Sequence, residues 1–192
     1  MIALPLWMGL TGTLSAIGVL DTWAPPPMFL LLVTMLAFLA WSSRKPWTHK
    51  LGDLPLQLLV GFQAFRIIVE LFIHLAVSEG IAHPTMTWTG TNLDIVAGVS
   101  ALLLAPFAHR IGPRLLQGWN LAMAGVLIVT VVTGILAAPT LFRKILGDPP
   151  NSWIAHFPFV WLPTILVFSA WLGHIVLFRR LARRDHDAAR DG

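Results

Sequence analysis

Six stretches of mostly apolar side chains, at about 2–20, 27–41, 54–77, 92–107, 116–138 and 158–177, alternate with short polar segments along the chain. None alternates residue by residue as a half-buried strand would. Runs this long predict helices, and a helix needs ~20 apolar residues to cross a hydrocarbon core. The second run is rather short for that and is expected to continue into Ser42 and Ser43. No Lys or Arg precedes the first run, which predicts a retained span in place of a cleaved signal. Asp21 and the run Pro25, Pro26, Pro27 then break the pattern, because proline lacks the donor that continues a helix, and predict a tight hairpin into the second span. The first pair of spans reads as a separable hairpin packed on a four-helix core.

The basic residues mark the segments between runs. Arg44, Lys45 and Lys50 follow the second run, Arg110 and Arg114 the fourth, and Arg179, Arg180, Arg183, Arg184 and Arg190 the sixth; the intervening outer segments hold only Arg143 and Lys144. Lys and Arg collect on cytoplasmic loops, so ten against two places both termini inside and supports six spans independently of hydropathy. The expected fold is all-α, a polytopic membrane helix bundle with six transmembrane helices and both termini cytoplasmic. It forms a single domain over 1–178, followed by a basic cytoplasmic tail, 179–192, that touches anionic lipid. The expected location is the bacterial cytoplasmic (inner) membrane, as a multi-pass protein.

Composition agrees with this pattern. Of 192 residues, 56% are hydrophobic and only 11% charged, against roughly 25% charged in a soluble domain. Nine tryptophans with no tyrosine suit anchoring by indole at headgroup depth. The absence of cysteine removes disulfides, thiolate metal ligands and thiol nucleophiles together. A net charge of +4 would suit a nucleic-acid partner, but the basic residues border apolar runs and form no aromatic-interleaved surface, so nucleic acid is excluded.

The third run contains the unusual chemistry. Residues 65–74 read FRIIVELFIH, and at four-residue spacing Arg66, Glu70 and His74 fall on one helical face with Gln63 beside them. Ionisable groups at that depth are costly unless they face protein, water or a partner. With the third span running outward, the three climb in steps of about 6 Å, and His74 lies nearest the outer surface. The polar loop 78–91, with Glu79 and His83, the start of the fourth span with Asn92 and Asp94, and His156 at the start of the sixth share that outer side. His174 is expected on the order of 15 to 20 Å below His74, which argues against the two sharing a haem iron. The plain alternative for Arg66 and Glu70 is an ion pair along one helix that holds the bundle together. For His74 it is an interfacial histidine on a backbone carbonyl, for Glu79, His83 and His156 solvated loop positions, and for Asn120 a bridge between helices.

The segments FRIIVELFIH (65–74), PTMTWTGTNLDIVAG (84–98) and HFPFVWLPTILV (156–167) resemble the signature blocks of a family of small bacterial multi-span integral membrane proteins of unassigned function. The likeness covers the third span to the end. It pairs an Arg and a Glu in the first block with Gly-x-Asn-x-Asp in the second, matched here by Arg66, Glu70, Gly90, Asn92 and Asp94. The chain departs from the pattern at Ile68, where the family has Pro, and at Thr91, where it has Arg, which weakens an anion-binding reading of the loop. The resemblance implies a multi-span fold and supplies no chemistry.

Three readings remain. The first is a polar intramembrane site near the outer face that binds a small or lipophilic molecule, with Arg66 and Glu70 as its base and His74, Asn92 and Asp94 as its wall. The second is a metal-dependent membrane enzyme, or a metal- or haem-binding protein, using His74, His83, His156 and Glu79 with other outer carboxylates; zinc, iron and copper take such ligands. The third is a structural or assembly subunit of a membrane complex. The expected partners are the lipid bilayer and either a small lipophilic ligand or a metal ion, with an oligomer allowed. Catalytic residues and cofactor stay unassigned.

Overall fold

The computed structural model describes residues 3–21 and 27–190, with side chains for 4–21 and 27–184. The proline run at 25 and 26 and the side chains of the tail from 185 onward lie outside the described residues. Among the described residues the fold is all-α, with seven helices. They are α1 (Ala3–Ala16), α2 (Pro27–Ser42), α3 (Pro46–Leu51), α4 (Leu56–Ser78), α5 (Asp94–Phe107), α6 (Pro113–Ala137) and α7, which opens as a π-helical turn over Leu162–Leu166 and continues over Val167–Arg190.

Three helices, α4, α6 and the Leu162–Arg184 part of α7, are long and apolar enough to cross a membrane. Each of the six apolar runs contains a helix, but the other three helices are shorter, with 14 residues in α1, 16 in α2 and a regular stretch of 11 in α5. Local punctuation explains the difference. Gly18 adopts a positive φ just beyond α1, and α5 tightens into a 3-10 turn at Ala105–Phe107, where Pro106 ends the regular hydrogen-bond ladder.

The same punctuation shapes the long helices. Glycine at position 80, with φ +69°, closes α4: Ile81 N–H bonds to Ala76 O at 2.8 Å and Gly80 N–H to Val77 O at 3.0 Å, which satisfies the final carbonyls. Pro113 starts α6 after an extended Gly112, and Ala138 is held extended by the proline that follows it. The last apolar run becomes helical only at Leu162, later than the pattern predicts, because Pro158 and Pro163 interrupt its start. From there α7 runs on without Gly or Pro between 174 and 190, so the stretch expected as a separate tail continues the helix. Helix α3 occupies part of what reads as a basic loop, with Pro46 in its first turn.

Two apolar layers bracket the middle of the bundle. One gathers Leu56, Leu59, Val60, Leu116, Leu177 and Leu181 at one end; the other gathers Ile73, Ala76, Ala82, Met86 and Trp153 at the opposite end. A third cluster joins Leu20, Met28 and Leu31 to Ala155 and Val160. Around it, α1 is fastened to the approach and start of α7 by Ser15 Oγ–H to Ala155 O (2.6 Å), Trp161 Nε1–H to Met8 O (3.2 Å) and Trp7 Nε1–H to Thr164 O (3.3 Å). At the first end, Arg179 donates to Ser43 O, Arg184 Nη2 donates to His109 O at 3.1 Å, and Arg183 lies 3.9 Å from Asp53.

A close helix approach in the centre is set by a small residue. A Cβ on Gly98 of α5 would lie 2.8 Å from the Ile67 backbone nitrogen of α4, so only glycine permits this separation. Ala97 and Ala101 beside it are fully buried. Small residues that let backbones meet are how helices associate where no hydrophobic drive separates protein from lipid.

Candidate functional site

Between the two end layers lies a polar one. Arg66 is 1% exposed and Glu70 is wholly buried, as the four-residue spacing on α4 predicts, and Gln63 is buried beside them with its Nε2–H on Ala170 O at 3.2 Å. Their partners differ from the expected ones. The carboxylate that meets Arg66 Nη2 is Asp94 of α5, not Glu70 one turn along α4. The close α4–α5 approach at Gly98 brings Asp94 within reach, and the i,i+4 pairing is replaced by one between helices.

Glu70 is held separately by donors from the outer loop. Thr87 Oγ1–H reaches Glu70 Oε1 at 2.9 Å and Asn92 Nδ2–H reaches Oε2 at 2.7 Å. Asn92 also donates to Met86 O at 2.9 Å and accepts from the Asp94 backbone N–H at 3.0 Å, fastening the start of α5. On α6, Thr130 Oγ1 lies 2.8 Å from both Asn92 Oδ1 and Asp94 Oδ1 and 3.1 Å from Val126 O. One hydroxyl proton therefore has three acceptors in range.

The network continues in the other direction. Arg66 Nη1 lies 3.3 Å from His174 Nε2 and 3.4 Å from Met123 O. His174 Nδ1 lies 2.8 Å from Asn120 Oδ1, and Asn120 Nδ2–H donates to His174 O at 3.1 Å. An amide oxygen only accepts, so Nδ1 carries the imidazole proton and Nε2 accepts from the guanidinium. His174, expected well below His74, joins the stripe at its other end through Arg66, which lies eight residues, about 12 Å, further down α4 and carries a long side chain.

At the outer end His74 stacks on Trp88 at 4.0 Å between centroids, and its Nδ1 lies 3.4 Å from Thr87 Oγ1. Five predicted residues, Arg66, Glu70, His74, Asn92 and Asp94, therefore belong to one connected network. The predicted metal residues do not converge. His83 Nδ1 accepts from the Thr85 backbone N–H at 3.2 Å, His156 Nδ1 lies 3.4 Å from Asp21 Oδ1, and Glu79 is exposed beyond α4. Among the described residues no group of three or more His, Asp or Glu is arranged to hold a metal ion.

Beside this network lies a cavity of about 200 Å³ between α2, α4, α6 and α7, walled by residues such as Met28, Met35, Val69, Leu127, Val131 and Leu166. Arg66, Asp94 and Thr130 line it; Asn151 and Trp153, from the loop before α7, line it as well. Sequence reasoning did not single out Thr87, Thr130, Asn151 or Trp153. For Thr130 a signal existed: Asn120, Leu127, Thr130 and Ala137 follow steps of seven, three and seven residues, which keep them on one face of α6. Asn151 and Trp153 sit in a loop whose path no periodicity announces.

No protein family, curated protein or solved structure matches the chain. Fold and site together define a helical protein with three candidate membrane spans and a buried polar network.

Proposed function

We propose that this protein crosses the bacterial cytoplasmic membrane six times, with both termini inside, and holds a small lipophilic molecule in the cavity beside Arg66 and Asp94. The observation that carries this reading is the cavity itself: an apolar chamber with an ion pair and a threonine on its wall. Binding sites for small molecules combine largely apolar walls with a few placed polar groups. A purely structural role for the stripe calls for its saturation with no chamber beside it.

The topology is supported by the basic residues. Arg179, Arg183 and Arg184 reach Ser43, Asp53 and His109, which brings three positively charged segments to one end of the bundle. The short helices are completed by loops that turn inward: Met86 and Thr87 of the outer loop are buried. Irregular backbone is tolerated at membrane depth when protein covers it. The family resemblance of the three sequence blocks fits the same multi-span reading. In this proposal Arg66 and Asp94 meet the ligand, Glu70 and Asn92 fix the orientation of the outer loop, and His74 closes the network above them.

The test is to purify the protein in mild detergent, extract it and identify co-purifying lipophiles by mass spectrometry, alongside Val131→Trp, which fills the chamber. The expected result is a lipophile in the wild-type protein that falls at least tenfold in a Val131→Trp protein of unchanged oligomeric profile. Wild-type protein free of any stoichiometric lipophile overturns the reading.

A further inference from the structure

We propose that Glu70, Thr87 and His74 form a proton-exchange site, in which a proton resting on the buried Glu70 carboxyl group passes through the Thr87 hydroxyl to His74 and the outer face. None of the three lines the cavity, so this site is separate from the lipophile site above. The charges of the polar layer carry the argument. It holds one guanidinium, Arg66, against two carboxyl groups, Asp94 and Glu70, and Arg66 is paired with Asp94. His174, on the far side of Arg66, is neutral, since its Nε2 accepts from the guanidinium and its Nδ1–H faces the Asn120 amide oxygen. The donors that reach Glu70 are neutral as well: Thr87 Oγ1–H, Asn92 Nδ2–H and the Trp88 backbone N–H. One positive charge is therefore missing from a buried layer, and buried charges are paired or neutralised. A proton supplies it.

Geometry selects the oxygen that takes it. The Asn92 amide is fixed end for end, because its Oδ1 accepts from the Asp94 backbone N–H at 3.0 Å and its Nδ2–H also donates to Met86 O at 2.9 Å. Glu70 Oε2, 2.7 Å from that Nδ2, always faces a donor, which leaves Oε1 for the proton. Oε1 faces Thr87 Oγ1 at 2.9 Å. A hydroxyl both donates and accepts, so Thr87 donates to the carboxylate form and accepts from the acid form, when its own proton turns to His74 Nδ1 at 3.4 Å. Glu70 is wholly buried and His74 only half-buried. The proton therefore rests on the carboxyl group, where it removes a buried charge, and His74 is the port through which it exchanges.

The step balances without a further reactant. As the Glu70 Oε1–H bond breaks, its proton bonds to Thr87 Oγ1, the hydroxyl's own proton passes to His74 Nδ1, and the products are a carboxylate and an imidazolium. The imidazolium then loses a proton to the aqueous phase, and the reverse sequence reloads Glu70. Trp88 stacks on the His74 ring with 16° between the planes, and an indole face favours a cation. Glu79, Thr89 and Gly90, on the same outer side, are exposed. The titratable and charged groups around Glu70 are Arg66 and His74 on α4 and Asp94 on α5, with His174 of α7 beyond Arg66; Thr87, Asn92 and Thr130, from the outer loop, the start of α5 and α6, do not titrate. Chains of carboxyl groups and histidines inside a membrane are the material of proton relays.

The experiment is infrared difference spectroscopy of the purified protein in mild detergent near neutral pH, transferred from ordinary to heavy water, on wild-type, Glu70→Gln, Thr87→Val and His74→Ala proteins of unchanged oligomeric profile. Wild-type protein should show the C=O stretch of a protonated carboxyl group, shifted in heavy water, and Glu70→Gln should lack it. Thr87→Val keeps the shape of the side chain and removes the hydroxyl; its band should persist, and the shift in heavy water should develop about a hundredfold more slowly, the low end of what a positioned proton-transfer group supplies. His74→Ala should slow the shift likewise. A wild-type spectrum without a protonated carboxyl group, a band that survives Glu70→Gln, or a shift as fast in Thr87→Val or His74→Ala as in wild type overturns the proposal. The wild-type and Thr87→Val spectra decide it even if Glu70→Gln fails to fold.

Discussion

The polar layer and the cavity beside it meet at Arg66 but are finished differently. In the layer, Nη1 and Nη2 of Arg66, both oxygens of Glu70 and the amides of Asn92 and Asn120 all have partners on neighbouring segments. Among residues that line the cavity, Arg66 Nε, Asn151 Oδ1 and Trp153 Nε1 are buried without a partner, and so is Gln63 Oε1 of the layer. The side-chain pairs of the layer fix how helices pack, whereas the wall borders an apolar space between them. The comparison predicts that damage to the layer is read as lost stability and damage to the wall as lost occupancy.

The sharpest break is Asp94→Ala. It leaves the buried Arg66 unpaired, and removing one partner of a buried ion pair costs about 3–5 kcal/mol. Chemical or thermal unfolding in detergent should show that loss, with much of it recovered in Asp94→Ala combined with Arg66→Met, where neither charge remains. Gly98→Val should follow at about 1–3 kcal/mol by forcing α4 and α5 apart, the range for overpacking; the same unfolding assay and a cross-link between the two helices would register it. Asn92→Ala should cost about 2 kcal/mol by stripping Glu70 Oε2 and Met86 O of a donor, with proteolysis of the outer loop accelerated. On the other side, Val131→Trp should change stability by less than about 1 kcal/mol, because it occupies empty space, while removing the bound lipophile. A Val131→Trp protein as unstable as Asp94→Ala would erase the distinction between the two regions.

The stripe on α4 was legible because it obeys a single rule: charged residues at four-residue spacing inside an apolar run have to face inward. Asn92 and Asp94 were legible for a different reason, as polar residues at the start of the fourth span, on the same outer side as the polar loop. The pairing was not. That Arg66 chooses Asp94 over Glu70 depends on the distance between two helices, which Gly98 decides through the space its missing side chain leaves. His174 was read only against His74, so its contact with Arg66, two turns deeper on α4, was not foreseen. Asn151 and Trp153 escaped notice because nothing local distinguishes a loop that folds over a chamber from one that does not. Helix length was overestimated where Gly18 cuts the first apolar run short, since hydropathy counts such a residue without asking how the backbone turns at it.

Thr130 offers one proton to three oxygens, and this has a consequence for how the site responds to an occupant. Whichever acceptor the hydroxyl selects, the other two lose that donor, so rotation about a single side-chain bond redistributes hydrogen bonding between the aspartate that neutralises Arg66 and the asparagine that clasps Glu70. Thr130 also lines the cavity, and a ligand hydroxyl arriving there competes for the same oxygens. Replacing threonine by valine preserves the shape and removes the selector; serine preserves the selector. The two substitutions separate a site that senses its occupant from one that merely encloses it.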